Sequence, residues 1–277
     1  MHTPVLLQEA VDQLNVFKGG RYIDATFGSG GHSNEIVKRG GKVLALDWNE
    51  ETVNRHNFKK KDAQLKIVWG NYANIEEIAK RNNFLPVEGC LFDLGLSMEE
   101  ILFSGRGFSF RRDRETLDMR ISKKSLKVTA ADIINSSTEK ELYEIFSRYS
   151  EELGSESISQ AIVRARRMKK IVTVDDLIEA ITKVGVKASE KTLRRVFQAL
   201  RVAVNHEFEN ITKGIKGGLK VLKKGGKLVV ITFHPSEDRL VKSIFRQNNL
   251  KSINKKNILS RQGYQFERSA KLRIVQI

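Results

Sequence analysis

The chain has 277 residues, 49 Lys+Arg against 33 Asp+Glu for a formal net charge of +16, 40% hydrophobic residues and one Cys. That length suits one large domain or a domain with an insertion, which excludes a stapled mini-protein, and no apolar run approaches the ~18 residues of a membrane span. One Cys excludes an internal disulfide, and Met1 to Ala10 lacks the pattern of an export signal, so the expected compartment is the cytoplasm; the positive excess favours a polyanionic partner, nucleic acid first, because phosphate contacts release counterions.

From residue 20 to residue 100, short apolar runs alternate with amphipathic segments, the pattern of a parallel sheet with crossover helices. The predicted strands are Arg21 to Ala25, Lys42 to Leu46, Leu65 to Trp69 and Val87 to Phe92, with helices over Ser33 to Lys38, Glu50 to Phe58 and Ile75 to Arg81. The alternation stops at Ser104 to Lys127, a stretch rich in Gly, Arg and Ser. Helical patterns follow, with no strand candidate before Lys227. Leu142, Ile145, Phe146 and Tyr149 recur at helical spacing behind a capping box at Thr138 and Glu141. Further helices carry Ile158, Ile162 and Ala165, then Leu177, Ile178 and Ile181, and a longer one runs from Thr192 through Val204. The sheet resumes at Lys227 to Phe233 after the turn Lys224-Gly225-Gly226, a helix starts near Ser236, and Leu272 to Ile277 is a terminal strand. The expected organisation is α/β, with a discontinuous domain of residues 1–106 and 197–277 interrupted by a helical insertion, 107–196.

The first strand runs into Asp24-Ala25-Thr26-Phe27-Gly28-Ser29-Gly30-Gly31-His32, where glycines allow positive φ and the next helix offers free N–H groups. A dinucleotide loop needs G-x-G-x-x-G, but Ser33 stands where the third glycine belongs, which disfavours a nicotinamide oxidoreductase. Asp24 at the strand end suits an ammonium or a backbone N–H better than a phosphate. Asp47 ends the second strand about 20 residues after the first glycine, where an acidic residue meets ribose hydroxyls in doubly wound folds. A ribose together with an amino-acid end indicates S-adenosylmethionine. Asp93 ends the fourth strand at the edge where ligands of open α/β sheets bind; it can orient an ammonium or a substrate amine, or cap the next helix. Cys90 lies within the apolar strand and reads as a buried structural thiol. Five His and one Cys show no metal-ligand spacing, so no metal is expected; His206 and His234 are equally readable as pocket-lining or as capping residues. Basic groups cluster at Arg164, Arg166, Arg167, Lys169 and Lys170, at Arg111, Arg112 and Arg114 beside Phe108 and Phe110, and through residues 239–277, a combination that favours RNA.

Ordered motifs extend along most of the chain: His2-Thr3-Pro4-Val5-Leu6-Leu7, the loop Asp24 to His32, Asp93-Leu94-Gly95-Leu96-Ser97, Arg106-Gly107-Phe108-Ser109-Phe110 and Leu117-Asp118-Met119-Arg120. They continue through Phe197-Gln198-Ala199-Leu200-Arg201, Val204-Asn205, Phe233-His234, Glu237-Asp238-Arg239 and Arg268-Ser269-Ala270-Lys271-Leu272-Arg273. In these the chain resembles the MraW/RsmH family of methyltransferases acting on the N4 amine of a cytosine in small-subunit (16S) ribosomal RNA. The resemblance implies a Rossmann-like, S-adenosylmethionine-dependent methyltransferase sheet with an inserted all-helical domain for RNA recognition. It also implies Gly30, Gly31 and His32 at the methionine part of the cofactor, Asp47 at its ribose, Tyr72 beside its adenine, and Asp93 and Glu100 completing the pocket, with Asp93 as the catalytic group. The family pattern is replaced at Met98-Glu99-Glu100, at Asp113 to Thr116 and at Ser150, and the tail is shortened. Expected partners are small-subunit ribosomal RNA, within an assembled or assembling subunit, and no membrane; a homodimer is among the assembly states left open. The alternative class is a noncatalytic RNA-binding or ribosome-assembly protein that keeps the fold.

Overall fold

The computed structural model of the protein describes residues 4–57, 63–112, 114–182, 189–253 and 269–277. The first half begins with α1 (Leu7–Leu14), β1 (Arg21–Asp24), α2 (Gly31–Lys38), β2 (Lys42–Asp47), α3 (Glu50–Asn57) and β3 (Leu65–Trp69). A 3₁₀ turn (Tyr72–Asn74), α4 (Ile75–Arg81) and β4 (Val87–Asp93) follow. Next come α5 (Met98–Phe103), α6 (Ala130–Ser136), α7 (Glu139–Ser150), α8 (Ser155–Met168), α9 (Val174–Thr182) and α10 (Glu190–Asn205). The chain finishes with α11 (Glu207–Val221), β5 (Leu222–Thr232), α12 (Pro235–Gln247) and β6 (Lys271–Gln276).

The six strands form one sheet in the order β3-β2-β1-β4-β5-β6, parallel except for the β5–β6 pair. Alternate side chains leave a strand on opposite faces, so consecutive residues feed two cores. Ile23, Leu44, Leu46, Phe92, Leu228 and Val230 enter one, closed by Ile75 of α4, Ile211 and Ile215 of α11, and Val241 of α12. Their neighbours Tyr22, Val43, Ala45, Leu91, Val229 and Ile274 enter the other, under Ala10 and Val11 of α1 and Ile36 of α2. Burial on both faces explains why the central strands are continuous apolar runs.

The chain divides into two compact units, Met1–Leu96 with Phe208–Ile277, and Ser97–Glu207. The second unit begins earlier than the expected insertion, at α5, and ends later, because α10 runs unbroken to Asn205. Its core gathers Ile134, Leu142, Phe146, Ile158, Ile162, Leu177, Ile181, Val196 and Leu200 from α6 to α10. The capping box at the start of α7 is formed: Glu141 N–H donates to Thr138 Oγ1 at 3.2 Å and Thr138 N–H to Glu141 Oε2 at 2.7 Å. Several elements were not legible beforehand. α1, α5, α6 and α11 carry no predicted helix, and β5 opens at Leu222, its ladder bulging at Lys224 to Gly226 where a turn was expected. Phe58 of the helix read as Glu50 to Phe58 lies outside the described residues, as do Asp113, His2, Thr3, Arg268 and much of the basic tail.

Much of the motif Arg106 to Arg120 holds the second unit together. Arg106 is buried and donates from Nη1 to the carbonyls of Arg120 and Ile121 at 3.0 and 2.8 Å. Gly107 has φ 71°, and an added Cβ would lie 2.5 Å from the Thr116 carbonyl, so only glycine fits. Asp118 takes a bidentate bond from Arg120, Nε to Oδ1 at 2.7 Å and Nη2 to Oδ2 at 2.8 Å. Asn205, fully buried at the end of α10, accepts from Ile121 N–H at 2.8 Å and donates to the Met119 carbonyl at 2.7 Å. Asn205→Ala strands both backbone groups and is expected to destabilise the protein by about 1–3 kcal/mol. Urea unfolding measures this; an unshifted midpoint would contradict it.

Candidate active site

The carboxyl ends of β1, β2 and β4 bring three aspartates to one sheet edge. Asp24 is completely buried; Ser33 Oγ donates to its Oδ2 at 2.6 Å and Thr26 N–H to its Oδ1 at 3.2 Å. Burial pushes its carboxyl up to about 6. Asp93, on the neighbouring strand, is tied down through its backbone N–H, which donates to Thr26 Oγ1 at 2.7 Å. Its side chain is partly exposed, yet Oδ1 is shut off from solvent and has no hydrogen-bond partner among the described residues. Burial, with the charges of Asp24 and Glu237 behind it, pushes the Asp93 carboxyl up to about 8. Neither Asp24 nor Asp93 meets a Lys or Arg among the described residues.

The glycine loop crosses this edge. Gly28 and Gly30 have φ 54° and 82°, and a Cβ at Gly30 would press on the Phe27 ring at 2.7 Å. Gly30 is also the N-cap of α2 with no side-chain cap; Ser33 N–H turns back to Asp24, and the N–H groups of Gly31 and His32 are offered from the backbone. A Cβ on Gly31 would lie 1.9 Å from Pro4 Cγ, so the start of the chain packs directly on the loop.

His32 follows as a buried imidazole with Nε2 3.1 Å from the Val5 carbonyl and Nδ1 3.8 Å from Asp93 Oδ2. Burial lowers its pKa to about 4, so it is neutral at physiological pH. The Val5 oxygen can only accept, which assigns the proton to Nε2 and turns the Nδ1 lone pair toward Asp93.

Asp47 braces the loop from β2. Gly28 N–H donates to its Oδ2 and Asn49 N–H to its Oδ1, both at 2.8 Å. Tyr72 lies in the 3₁₀ turn after β3, packed edge-on against Phe92 with 5.8 Å between centroids, and its ring sits where a Cβ on Gly214 would come within 2.6 Å. Glu100 belongs to the second unit. There its carboxylate accepts from Ser97 N–H at 3.0 Å and Ser97 Oγ at 2.9 Å, closing the cap of α5.

The structure therefore gathers Asp24, Gly30, Gly31, His32, Asp47 and Asp93 at one edge and gives Tyr72 and Glu100 local packing and capping contacts. Thr26, Ser33 and Glu237 stood in the sequence reading only as motif positions, with no bracing role at the site. Glu237 accepts from Phe233 N–H at 2.9 Å and His234 N–H at 3.0 Å, holding the turn after β5. His234 caps α12 through Ser236, and His206 ends α10 in the left-handed conformation. Burial pushes the Cys90 thiol up, as its apolar strand implies. Among the described residues no group of three or more His, Cys, Asp or Glu could hold a metal, and no helix is long and apolar enough to cross a membrane.

The profile of the MraW methylase family matches residues 1–276, and the chain belongs to that family. A ribosomal RNA small subunit methyltransferase H from Carboxydothermus hydrogenoformans is 43% identical over 253 residues, covering 89% of this chain and 80% of its own. One of the same name from Dictyoglomus thermophilum is 39% identical over 285 residues, covering 99% and 96%. Among solved structures, an rRNA methylase from Streptococcus thermophilus aligns over all of this chain and 98% of its own with a TM-score of 0.47 and 10% identity.

The raised Asp93 carboxyl has a pH signature. Unfolding lets the group ionise at its ordinary pKa, so ligand-free stability falls as pH rises from about 4 through about 8. Asp93→Asn removes that cost and is expected to stabilise the ligand-free protein by about 1–3 kcal/mol above pH 8, and little near pH 4. Thermal melts across that range test it; an equal effect at both ends would contradict the buried-carboxyl account.

Proposed function

We propose that this chain transfers the methyl group of S-adenosylmethionine to the exocyclic N4 amine of a cytosine in small-subunit ribosomal RNA near the decoding centre, working in the cytoplasm. The single observation that carries this reading is a pair of strand-end carboxyls, Asp24 buried and Asp93 half-buried with Oδ1 orphaned, that meet no Lys or Arg among the described residues. The residues present fit the cofactor: a buried acceptor without a partner, next to a second buried carboxyl, is completed by a cationic ligand and left wanting by a phosphate. The names of the relatives point to ribosomal RNA, in keeping with a net charge of +16.

When bound, the cofactor supplies an electrophilic methyl group on a sulfonium. The bare backbone of Gly30 and the N–H of Gly31 would take its methionine end, with neutral His32 behind them, and Asp47 is assigned to its ribose hydroxyls from its place at the end of β2. Tyr72 would lie beside the adenine, and Glu100 is assigned to the cofactor on family likeness alone. The substrate amine is a weak nucleophile because its lone pair is delocalised into the ring, so the protein works chiefly by orientation, which supplies up to ~7–11 kcal/mol in favourable intramolecular cases. Asp93 holds the amine and takes its proton at the carboxylate. A positive charge nearby draws the Asp93 carboxyl down from its raised value, so it ionises as the site fills and is then ready to accept. The absence of a reactive thiol suits attack by an amine; Cys90 is buried and inert.

Mass analysis of nucleosides from small-subunit particles treated with protein and labelled cofactor is expected to show one N4-methylated cytosine. Asp93→Ala is expected to lower the rate about 10²–10⁴-fold. Label on carbon 5 or on a ribose oxygen, or an unchanged rate in the variant, would overturn the chemistry. Tight RNA binding with no transfer would make this an assembly protein.

A further inference from the structure

Methyl transfer takes place at the carboxyl ends of the strands, and the opposite edge of the same sheet is unusually positive. Arg21 and Lys42 are the exposed first residues of β1 and β2 and stand side by side in register. Lys18 is held next to them, because Gly19 N–H donates to the Gly40 carbonyl at 2.8 Å and Gly40 packs on Lys18. Lys223 and Lys224 are exposed on the bulge of β5; Lys223 reaches the face of Phe17 at 5.9 Å and pairs with Glu88 at 2.5 Å. Phe17 itself is 51% exposed. Among the described residues Glu88 is the acidic side chain in this group, and Lys223 neutralises it. Lys18, Arg21, Lys42 and Lys224 pair with no carboxylate among the described residues, whereas Lys80 and Lys220, on helices of the same unit, both converge on Glu76.

Cations left without counterions, arranged around an exposed aromatic ring, suit a ribose–phosphate chain with an unstacked base. We infer that this amino-terminal edge of the sheet is a second seat for RNA, gripping the backbone of the substrate away from the reacting base. The inference rests on the RNA methyltransferase reading. β4 separates the two sites: Glu88 lies at one end of it and Asp93 at the other, a rise of roughly 17 Å at 3.3 Å per residue. Only an RNA long enough to pass along the sheet engages both, so the seat selects a large structured RNA over a short oligonucleotide.

The test combines Lys18→Gln, Lys42→Gln, Lys223→Gln and Lys224→Gln in one variant. A control of equal charge loss on exposed helix lysines combines Lys80→Gln, Lys213→Gln, Lys216→Gln and Lys220→Gln. For small-subunit ribosomal RNA, the edge variant is expected to lose affinity at least about tenfold at moderate salt, and its plot of log affinity against log salt is expected to be shallower by about 3. Affinity for a short cytosine-containing oligonucleotide and for S-adenosylmethionine is expected to stay within about twofold of the parent, showing that the fold and the methyl-transfer site are intact. An unchanged salt slope, an equal loss in the control, or a loss confined to vesicles containing phosphatidylserine would overturn the inference. If the parent binds ribosomal RNA through this edge yet never methylates it, the reaction proposed above fails and the seat stands; if it methylates but the slopes coincide, the seat alone fails.

Discussion

Two carboxyl groups are forced together by strand pairing. β1 and β4 are neighbours, and both end in aspartate at the same edge, Asp24 fully buried and Asp93 with one oxygen cut off from water. Two such desolvated carboxyls cannot both ionise cheaply without a cation, and among the described residues the base close to them is His32, kept neutral by its own burial. The edge is therefore electrostatically incomplete, and the rest of the site is arranged around that. Ser33 and Thr26 fix Asp24 with neutral donors while the Thr26 hydroxyl accepts the Asp93 N–H, Asp47 holds the loop open through Gly28 N–H, and Glu237 keeps the turn after β5 in place. Neutral bracing leaves the charge requirement to a ligand.

Much of this was legible in the sequence because parallel strands buried on both faces leave apolar runs that end in recognisable polar residues. β3 matches its predicted span, and β1, β2 and β4 differ from theirs by a residue at one end. Glycines at Gly28 and Gly30 announced the loop, and Asp24, Asp47 and Asp93 announced the edge. Partnership was not legible. Asp93 meets Thr26 across a separation of 67 residues, and His32 meets Val5 across 27, and no local pattern encodes such distances. Helices α1 and α11 went unread for a related reason: both pack on the sheet faces, and burial against an element far along the chain supplies what local sequence does not advertise.

The motifs divide by physical task. Those of the first unit place acceptors and bare N–H groups at an edge, which is work on a ligand. In the second unit, Arg106, Gly107, Asp118, Arg120 and Asn205 mainly bond to backbone or to one another, which is work on the chain itself. A likeness in sequence weighs both kinds alike, and only the geometry separates a residue that binds from one that builds.

The discontinuity of the first unit constrains how the molecule is made. β4 needs β5 as its neighbour, yet Ser97–Glu207 is translated between them and has its own apolar core. On the ribosome, the helical unit can condense while β4 still presents a bare edge of N–H and C=O groups, open to pairing with another nascent strand. A pause in translation after residue 207 is thus a moment of aggregation hazard, which ends when Leu222–Thr232 emerges and docks.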